Sequence, residues 1–331
     1  MIRIGILGCG RIGQVHASAV MANENATVAA VADAFDTAAQ ALAARTRAQV
    51  MTADDLIASD DVDAVIIGTP TDTHYDMVHA AARAGKAIFC EKPVDLSATR
   101  IHDCIKVVED TGVAFMTAFN RRFDPNFAHL QHCITDGQVG DVEMVTILSR
   151  DPSPPPIGYI TSSGGIFRDM MIHDFDMARF LLGEDAVEIY AVGSCLVDAD
   201  IGKAGDVDTA AVTLKTASGK ICQISNSRRA TYGYDQRIEV HGAKGMLRAE
   251  NQLNNTVQLA NNQGFQTAPA QHFFLERYAP AYAAELAHFI AALNAGTAPN
   301  PGIHDGLKAQ MMADAATQSL ATKKRVVVLN R

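Results

Sequence analysis

The sequence lacks an excess of basic residues, a long apolar run and a CxxC pair, and each absence excludes a class of protein. Its 28 lysines and arginines are outnumbered by 37 aspartates and glutamates, so the formal net charge is −9. Nucleic acids and anionic membrane surfaces are bound through clustered basic residues, so this charge argues against both as partners. Every apolar run is shorter than the roughly 20 residues that span a bilayer, which predicts no membrane partner.

The six cysteines are scattered along the chain without a CxxC spacing. This usage argues against a structural zinc site and favours reduced, mostly buried thiols. A strand pattern begins at Ile2 with no signal peptide ahead of it, and the two features together predict a cytoplasmic protein. The length of 331 residues corresponds to about two domains.

Strands and helices alternate over the first 121 residues. Apolar, β-branched runs predict strands, and runs with helical spacing lie between them. The strands are predicted at 2–7, 27–32, 63–68, 87–90 and 113–116, and the helices at 12–22, 36–46, 73–84 and 97–110. This alternation is typical of βαβ units, so the fold class is α/β, with an N-terminal doubly wound parallel sheet of the Rossmann type.

The pattern changes after residue 121, where closely spaced strands follow helices near 125–136 and 172–182. Such an order predicts a C-terminal α+β domain with a large, mostly antiparallel open sheet. A last strand is predicted at 326–329. We therefore expect a first domain at 1–121 and a second at 122–331, with the C-terminal helix as a candidate to pack back on the first domain.

A glycine-rich turn joins the first predicted strand to the first helix. Gly8, Gly10 and Gly13 have the G-x-G-x-x-G spacing of dinucleotide-binding turns. The first glycine permits the tight turn, the second lets the backbone approach a pyrophosphate, and the third lets helix and strand pack closely. The helix start, at Arg11 and Ile12, would then point its N–H groups at the phosphates.

Asp33 ends the second predicted strand, twenty positions after Gly13. A carboxylate there accepts hydrogen bonds from the adenosine ribose and would repel a 2′-phosphate. The next few residues include no lysine or arginine that would neutralise such a phosphate. The turn and Asp33 therefore predict a dinucleotide cofactor, with NAD preferred over NADP. A glycine-rich turn without a ligand is the alternative.

Three further polar segments follow predicted parallel strands, where a doubly wound sheet binds its ligands. They are residues 68–74, 91–93 and 120–125. Each has a structural alternative: a helix cap in the first, a surface salt bridge in the second and a solvated hinge between domains in the third.

Asp169 and His173 are four residues apart, and a helix would place them on one face. The carboxylate would orient the imidazole or hold a nearby lysine, while the imidazole would act as a general base. The alternative is a helix-start aspartate with a buried, hydrogen-bonded histidine. Metal binding would need a further ligand, and no second histidine stands at ligand spacing, so no metal site is predicted.

These motifs occur in the same order and spacing in the Gfo/Idh/MocA oxidoreductases, which the sequence resembles over essentially its whole length. They are Gly8-x-Gly10-x-x-Gly13, Thr69-Pro70-x-x-x-His74, Glu91-Lys92-Pro93 and Gly164-Gly165-x-x-x-Asp169-x-x-x-His173-x-x-Asp176. Within that family, segments 119–125, 149–152 and 232–235 look most like those of the bacterial inositol dehydrogenases.

The resemblance implies NAD-dependent oxidation of a ring hydroxyl of myo- or scyllo-inositol to the inosose. It implies that Lys92, Asp169 and His173 are catalytic, with His173 as the base. Besides the glycine-rich turn and Asp33, the implied cofactor contacts are Thr69, Pro70, His74, Glu91, Lys92 and Arg121. The implied substrate contacts are Lys92, Asn120, Arg121, Asp169, Met170, His173 and Tyr234. Some relatives carry a small polar residue in place of Met170.

The family also implies a homo-oligomer in which the open sheet of the second domain forms the subunit interface, with a tetramer favoured over a dimer. Three other activities use this architecture: a glucose-type aldohexopyranose dehydrogenase, an NAD-dependent glycoside hydrolase and a dinucleotide-binding regulatory protein. Such hydrolases usually carry an export signal. The regulatory relatives tend to lose the lysine or histidine that this chain keeps as Lys92 and His173.

Overall fold

The computed structural model describes residues 1–328, so Leu329, the end of the last predicted strand, lies outside the described residues. The chain divides into two compact units. The first unit comprises Met1–Phe123 and Pro280–Gln310, and the second comprises Asp124–Ala279 and the chain from Met311 onward.

The first unit is built on a six-stranded sheet. Its strands are β1 (Ile2–Leu7), β2 (Ala26–Ala32), β3 (Gln49–Val50), β4 (Ala64–Ile67), β5 (Ala87–Glu91) and β6 (Phe115–Ala118). All pairs are parallel and the order is β3-β2-β1-β4-β5-β6. This is the strand order of the Rossmann fold, so the predicted doubly wound parallel sheet is confirmed.

Helices connect these strands, and four of them lie within a few residues of the positions that the sequence pattern predicts, whereas the helix after β3 has no predicted counterpart. They are α1 (Arg11–Met21), α2 (Asp36–Thr46), α3 (Ala53–Ala58), α4 (His74–Arg83) and α5 (Ala98–Thr111), with short 3-10 turns at Thr71–Thr73 and Asn120–Phe123. Strand β4 is buried along its whole length, as its continuous apolar run predicts.

The second unit contains a seven-stranded sheet and a separate two-stranded hairpin. The strands are β7 (Val142–Arg150), β8 (Ala186–Ser194), β9 (Thr209–Thr216), β10 (Ile221–Ser227), β11 (Asp235–Gly242), β12 (Gly245–Ala249), β13 (Gln258–Asn261), β14 (Gly264–Thr267) and β15 (Val326–Val327). The large sheet has the order β12-β11-β7-β10-β9-β8-β15, and β7 with β10 forms its parallel pair. The predicted mostly antiparallel sheet is confirmed.

Eight further helices complete the described chain. They are α6 (Pro125–Thr135), α7 (Ile157–Ser163), α8 (Gly165–Asp169), α9 (Ile172–Leu182), α10 (Ala199–Lys203), α11 (Phe274–Arg277), α12 (Ala279–Ala295) and α13 (Ile303–Thr322). Within residues 1–328, no helix has the length and apolar character that crossing a bilayer requires. All six cysteines are unpaired, and Cys195 alone is not buried.

Helix α12 makes the structural units differ from the predicted continuous domains. Its side chains Leu286, Phe289 and Ile290 are buried in one apolar cluster with Ile4 of β1 and Phe89 of β5. Burial of these side chains against the first sheet explains why residues 280–310 group with the first unit. As a functional division, 1–121 and 122–331 stays a prediction.

Candidate functional site

The turn between β1 and α1 contains two glycines, Gly8 and Gly13, where any side chain would collide with the backbone. Gly8 has a φ of +95°, and a Cβ there would lie 2.6 Å from the carbonyl oxygen of Gly68. A Cβ on Gly13 would lie 2.0 Å from the carbonyl oxygen of Gly8. These close approaches bring the start of α1 against the carboxyl ends of β1 and β4, where this fold binds its ligands.

Gly10 is different, because neither packing nor backbone conformation requires a glycine there. Its φ of −67° and ψ of −162° are open to any residue. A Cβ at this position would meet no atom of the described chain within 4 Å. Within residues 1–328, helix α1 begins at the next residue without a side-chain cap. Open space beside an uncapped helix start fits the pyrophosphate of a dinucleotide.

The Asp33 carboxylate is fixed beside this turn by two backbone donors. The N–H of Cys9 donates to Oδ2 at 2.6 Å, and the N–H of Phe35 donates to Oδ1 at 2.8 Å. A carboxylate has about four acceptor sites, so capacity remains for ribose hydroxyls. Burial and the charge of Asp33 raise the pKa of the Cys9 thiol to about 11, so Cys9 adds no negative charge where the phosphates would lie.

His74 joins the segments that follow β4 and β5. Its Nε2 lies 2.9 Å from the carbonyl oxygen of Thr69, and its Nδ1 lies 2.9 Å from that of Pro93. The ring is buried, and burial lowers the pKa of His74, while its two backbone contacts act in the opposite direction. Because both ring nitrogens contact backbone oxygens, His74 holds Thr69, a predicted cofactor contact, next to the segment that carries Lys92.

The residues around His74 also decide the helix-cap alternative. Within the described chain, α4 begins without a side-chain cap. Instead, the Thr73 hydroxyl donates at 2.7 Å to the carbonyl oxygen of Pro70. The predicted cap by Thr71 or Asp72 is therefore wrong, and the Thr73 hydroxyl instead stabilises the 3-10 turn that precedes α4.

Glu91 points into the first unit. Its Oε1 lies 2.7 Å from Nε2 of His16 on α1, and its Oε2 accepts the backbone N–H of Lys92 at 3.2 Å. Glu91 is buried, so the alternative of a surface salt bridge is wrong for its carboxylate. These two contacts fix the backbone from which the half-buried Lys92 side chain extends at the end of β5.

The segment after β6 forms a 3-10 turn that carries two predicted substrate contacts. Asn120 and Arg121 are both buried. The neighbouring Arg122 donates to Asp305 at 2.9 Å within the same unit. A fully solvated hinge, the alternative for this segment, does not describe Asn120 and Arg121.

Asp169 and His173 lie on two short helices, not on one. Helix α8 ends at Asp169 and helix α9 begins at Ile172, with Met170 and Met171 in the turn between them. The two residues therefore do not share the face of one continuous helix, while the helix predicted near 172–182 is present as α9. Asp169 ends α8 and does not begin a helix, and His173 is partly exposed, so the structural alternative of a helix-start aspartate with a buried histidine does not describe them.

Two residues that the sequence reasoning missed contact the Asp169 carboxylate. The Tyr159 hydroxyl donates to Oδ1 at 2.9 Å, and Nη1 of Arg228 lies 3.4 Å from Oδ2. Arg228 is buried and directly follows β10. Its neighbour in sequence is also an arginine, so local pattern gives no signal that separates a buried cation from a surface one.

The other predicted substrate contacts of the second unit are largely buried. Tyr234 is 5% exposed and packs edge to face on Tyr278, with ring centroids 5.9 Å apart. Met170 is also 5% exposed. Neither burial value tests a substrate role, so both assignments stay predictions.

The chain is similar in sequence to a known family of oxidoreductases over both of its units. Residues 2–119 match the model described as the oxidoreductase family with an NAD-binding Rossmann fold, and residues 127–248 match the GFO/IDH/MocA C-terminal domain. The inositol 2-dehydrogenase of Rhizobium meliloti strain 1021 is 56% identical over 327 residues, which are 99% of each chain.

Solved structures agree with these matches. A myo-inositol dehydrogenase from Corynebacterium glutamicum superposes with a TM-score of 0.95 at 41% identity, covering 100% of both chains. A scyllo-inositol dehydrogenase from Lactobacillus casei, solved with bound NAD(H) and scyllo-inositol, superposes with a TM-score of 0.92 at 28% identity, covering 99% of each chain.

Proposed function

The chain belongs to the Gfo/Idh/MocA oxidoreductase family, and from this premise we propose that it oxidises a ring hydroxyl of myo- or scyllo-inositol with NAD. The observation that carries the proposal is the near-full-length match to the Rhizobium meliloti inositol 2-dehydrogenase. The glycine-rich turn with its open space at Gly10, and the fixed carboxylate of Asp33, support NAD as the cofactor.

The reaction converts a secondary alcohol into a ketone, so the hydroxyl loses a proton and the ring carbon loses a hydride. NAD supplies the hydride acceptor when it is bound. We assign the proton to an imidazole nitrogen of His173, because imidazole is the side chain that most often serves as a general base near neutral pH. The ammonium of Lys92 would hydrogen-bond the reacting oxygen and stabilise its developing negative charge. The carboxylate of Asp169 would hold these two cationic or polar groups in place.

A cyclitol carries a hydroxyl on every ring carbon, so its site must offer many donors and acceptors. We propose that Asn120, Arg121 and Tyr234 supply hydrogen bonds to these hydroxyls, and that Met170 packs against the ring. Arg11, Ile12, Thr69, Pro70, His74 and Glu91 remain our proposed cofactor residues, in addition to those already discussed. The contacts of His74 with the backbone oxygens of Thr69 and Pro93 support an indirect role, in which His74 positions these two segments for the cofactor.

Substrate preference tests this assignment. Scyllo-inositol and a β-glucopyranose share much of their ring outline, but the wrong sugar leaves buried polar groups unpaired at a cost of about 1–3 kcal/mol each. We expect kcat/KM for D- and L-glucose to be roughly 10- to 1,000-fold below that for the better inositol. Initial rates with myo-inositol, scyllo-inositol, D-glucose and L-glucose in one buffer measure this ratio. A pyranose that outperforms both inositols would make the protein a sugar dehydrogenase instead.

Cofactor preference tests the role of Asp33. We expect kcat/KM with NAD to exceed that with NADP by at least about tenfold, which corresponds to about 1.4 kcal/mol. Asp33→Asn removes the charge that would repel a 2′-phosphate while keeping the side-chain size, so it should narrow the ratio. The exposed Asp36, at the start of α2, provides the matched control Asp36→Asn, which should leave the ratio unchanged. Equal use of both cofactors by the natural chain would contradict the ribose assignment.

We also propose a homo-oligomer, with a tetramer as its expected size. Four exposed apolar side chains lie on one face of the seven-stranded sheet, as the strand registers require: Met144, Tyr190, Val192 and Met246. Exposed apolar patches are typical of protein interfaces. Light scattering measures the mass in solution, and a monomer would contradict this proposal.

The unpaired cysteines support our proposal of a cytoplasmic location, which fractionation of cells would test.

A further inference from the structure

Arg228 is a buried cation between two carboxylates of the second unit. Its Nη1 lies 3.4 Å from Oδ2 of Asp169, and its Nη2 lies 3.7 Å from Oδ2 of Asp206. Its side chain is 1% exposed, and within the described chain its Nε and Nη2 have no hydrogen-bond partner. A guanidinium buried with so few short hydrogen bonds is costly unless nearby charge compensates it. The two carboxylates supply that charge.

Asp206, the second carboxylate near Arg228, is held by the residues that follow Gly164. Both of its carboxylate oxygens accept the backbone N–H of Ile166, at 3.1 and 3.0 Å. A Cβ on Gly165 would lie 2.7 Å from Oδ1 of Asp206. Glycine at this position therefore makes room for the carboxylate, which gives the second glycine of the motif a structural explanation within this chain.

Helix α8 thus has a carboxylate at each end, and Arg228 faces both. Asp206 meets its first turn, and Asp169 is its last residue. The other oxygen of the Asp169 carboxylate, Oδ1, accepts a hydrogen bond from the hydroxyl of Tyr159, which is 49% exposed. The two oxygens of Asp169 are therefore distinguished: Oδ2 faces a buried cation and Oδ1 faces a tyrosine near the surface.

We propose that Arg228 is a positioning residue that fixes the orientation of the Asp169 carboxylate, with Asp206 as its second anchor. This inference rests on the proposed function, in which Asp169 holds the groups that handle the proton. In this proposal Arg228 acts through Asp169 and, by way of Asp169, on His173 at the start of α9. Loss of Arg228 would remove the buried cation beside Oδ2 of Asp169 and free the carboxylate to turn.

Four variants separate this role from a merely structural one. Arg228→Met removes the charge and keeps much of the side-chain length, and Arg228→Lys keeps the charge. Arg228→Met combined with Asp206→Asn removes one positive and one negative charge, which protects folding if the single variant is unstable. The matched control is Arg229→Met, because Arg229 is exposed and its side chain reaches the carbonyl oxygen of Leu196 at 3.5 Å.

With inositol and NAD, we expect Arg228→Met to lower kcat by roughly 10- to 10²-fold, the scale of a misplaced catalytic group. NADH affinity should stay unchanged, Arg228→Lys should recover part of the loss, and Arg229→Met should match the natural chain. The double variant should regain thermal stability without regaining kcat. Recovery of kcat in the double variant, or an Arg228→Met enzyme with natural turnover, would overturn the inference.

A crystal structure of Arg228→Met tests the same point without relying on activity. We expect the Asp169 carboxylate to turn, so that the 2.9 Å hydrogen bond from Tyr159 is lost or its acceptor oxygen changes. An unchanged Asp169 would overturn the inference even if the natural chain proved inactive on inositol. Absence of inositol turnover by the natural chain, with a displaced Asp169 in the variant, would contradict the proposed function and leave the positioning role supported.

Discussion

Replacing His173 by alanine is expected to lower kcat for inositol by roughly 10²-fold or more, because the hydroxyl proton loses its acceptor. Lys92→Ala is expected to have an effect of similar size, because the developing charge on the oxygen loses its cation. NADH affinity, measured by fluorescence titration, should survive both changes. The rate of the natural chain should rise with pH as the base loses its proton, and this dependence should disappear in His173→Ala.

Exposed residues of the same types provide controls for these variants. His272 and Lys106 are both exposed, and their alanine variants should retain the natural turnover and pH profile. A His173→Ala enzyme with near-natural kcat and an unchanged pH profile would make His173 a structural residue.

Two glycines of the same turn are expected to respond to alanine in opposite ways. A Cβ at position 13 would lie 2.0 Å from the backbone oxygen of Gly8, and a backbone atom has little freedom to move. We expect Gly13→Ala to destabilise the first unit by more than about 4 kcal/mol, the range reserved for severe core disruption. Gly10→Ala meets open space, so its Tm should stay close to that of the natural chain.

Gly10→Ala, which should leave stability unchanged, is expected to weaken cofactor binding. If the open space at Gly10 accommodates the pyrophosphate, Gly10→Ala should raise the Kd for NADH by at least about tenfold, or about 1.4 kcal/mol. Thermal unfolding and NADH titration of the two variants measure both quantities. Natural NADH affinity in a folded Gly10→Ala protein would mean that the open space does not serve the cofactor.

Local pattern predicted the parts of the molecule that local chemistry determines. Five strands of the first sheet, four of its helices and the turn at Gly8 follow from apolar runs, helical spacing and glycines at fixed offsets. Asp33 also has a sequence signal, because its distance from the turn is set by one βαβ connection. For the second sheet, closely spaced strands predicted the mostly antiparallel character but not the strand order or the register.

Long-range packing explains what the sequence pattern missed. The contact of Arg228 with Asp169 joins residues 59 positions apart, and no local spacing encodes it. Helix α12 carries apolar residues typical of any core, and its place against Ile4 follows from tertiary burial alone. Strands β13 and β14 are exposed on both faces, so they lack the alternation that identifies a half-buried strand.

NAD-dependent oxidation of inositol is tested most directly by following the transfer of hydrogen from the inositol ring to NAD. The protein is incubated with NAD and with myo- or scyllo-inositol deuterated at its ring carbons, and the reduced cofactor is examined by mass spectrometry. We expect reduced NAD that carries deuterium, formed together with the inosose from at least one of the two inositols. Bound NAD that stays oxidised with both inositols would contradict this expectation.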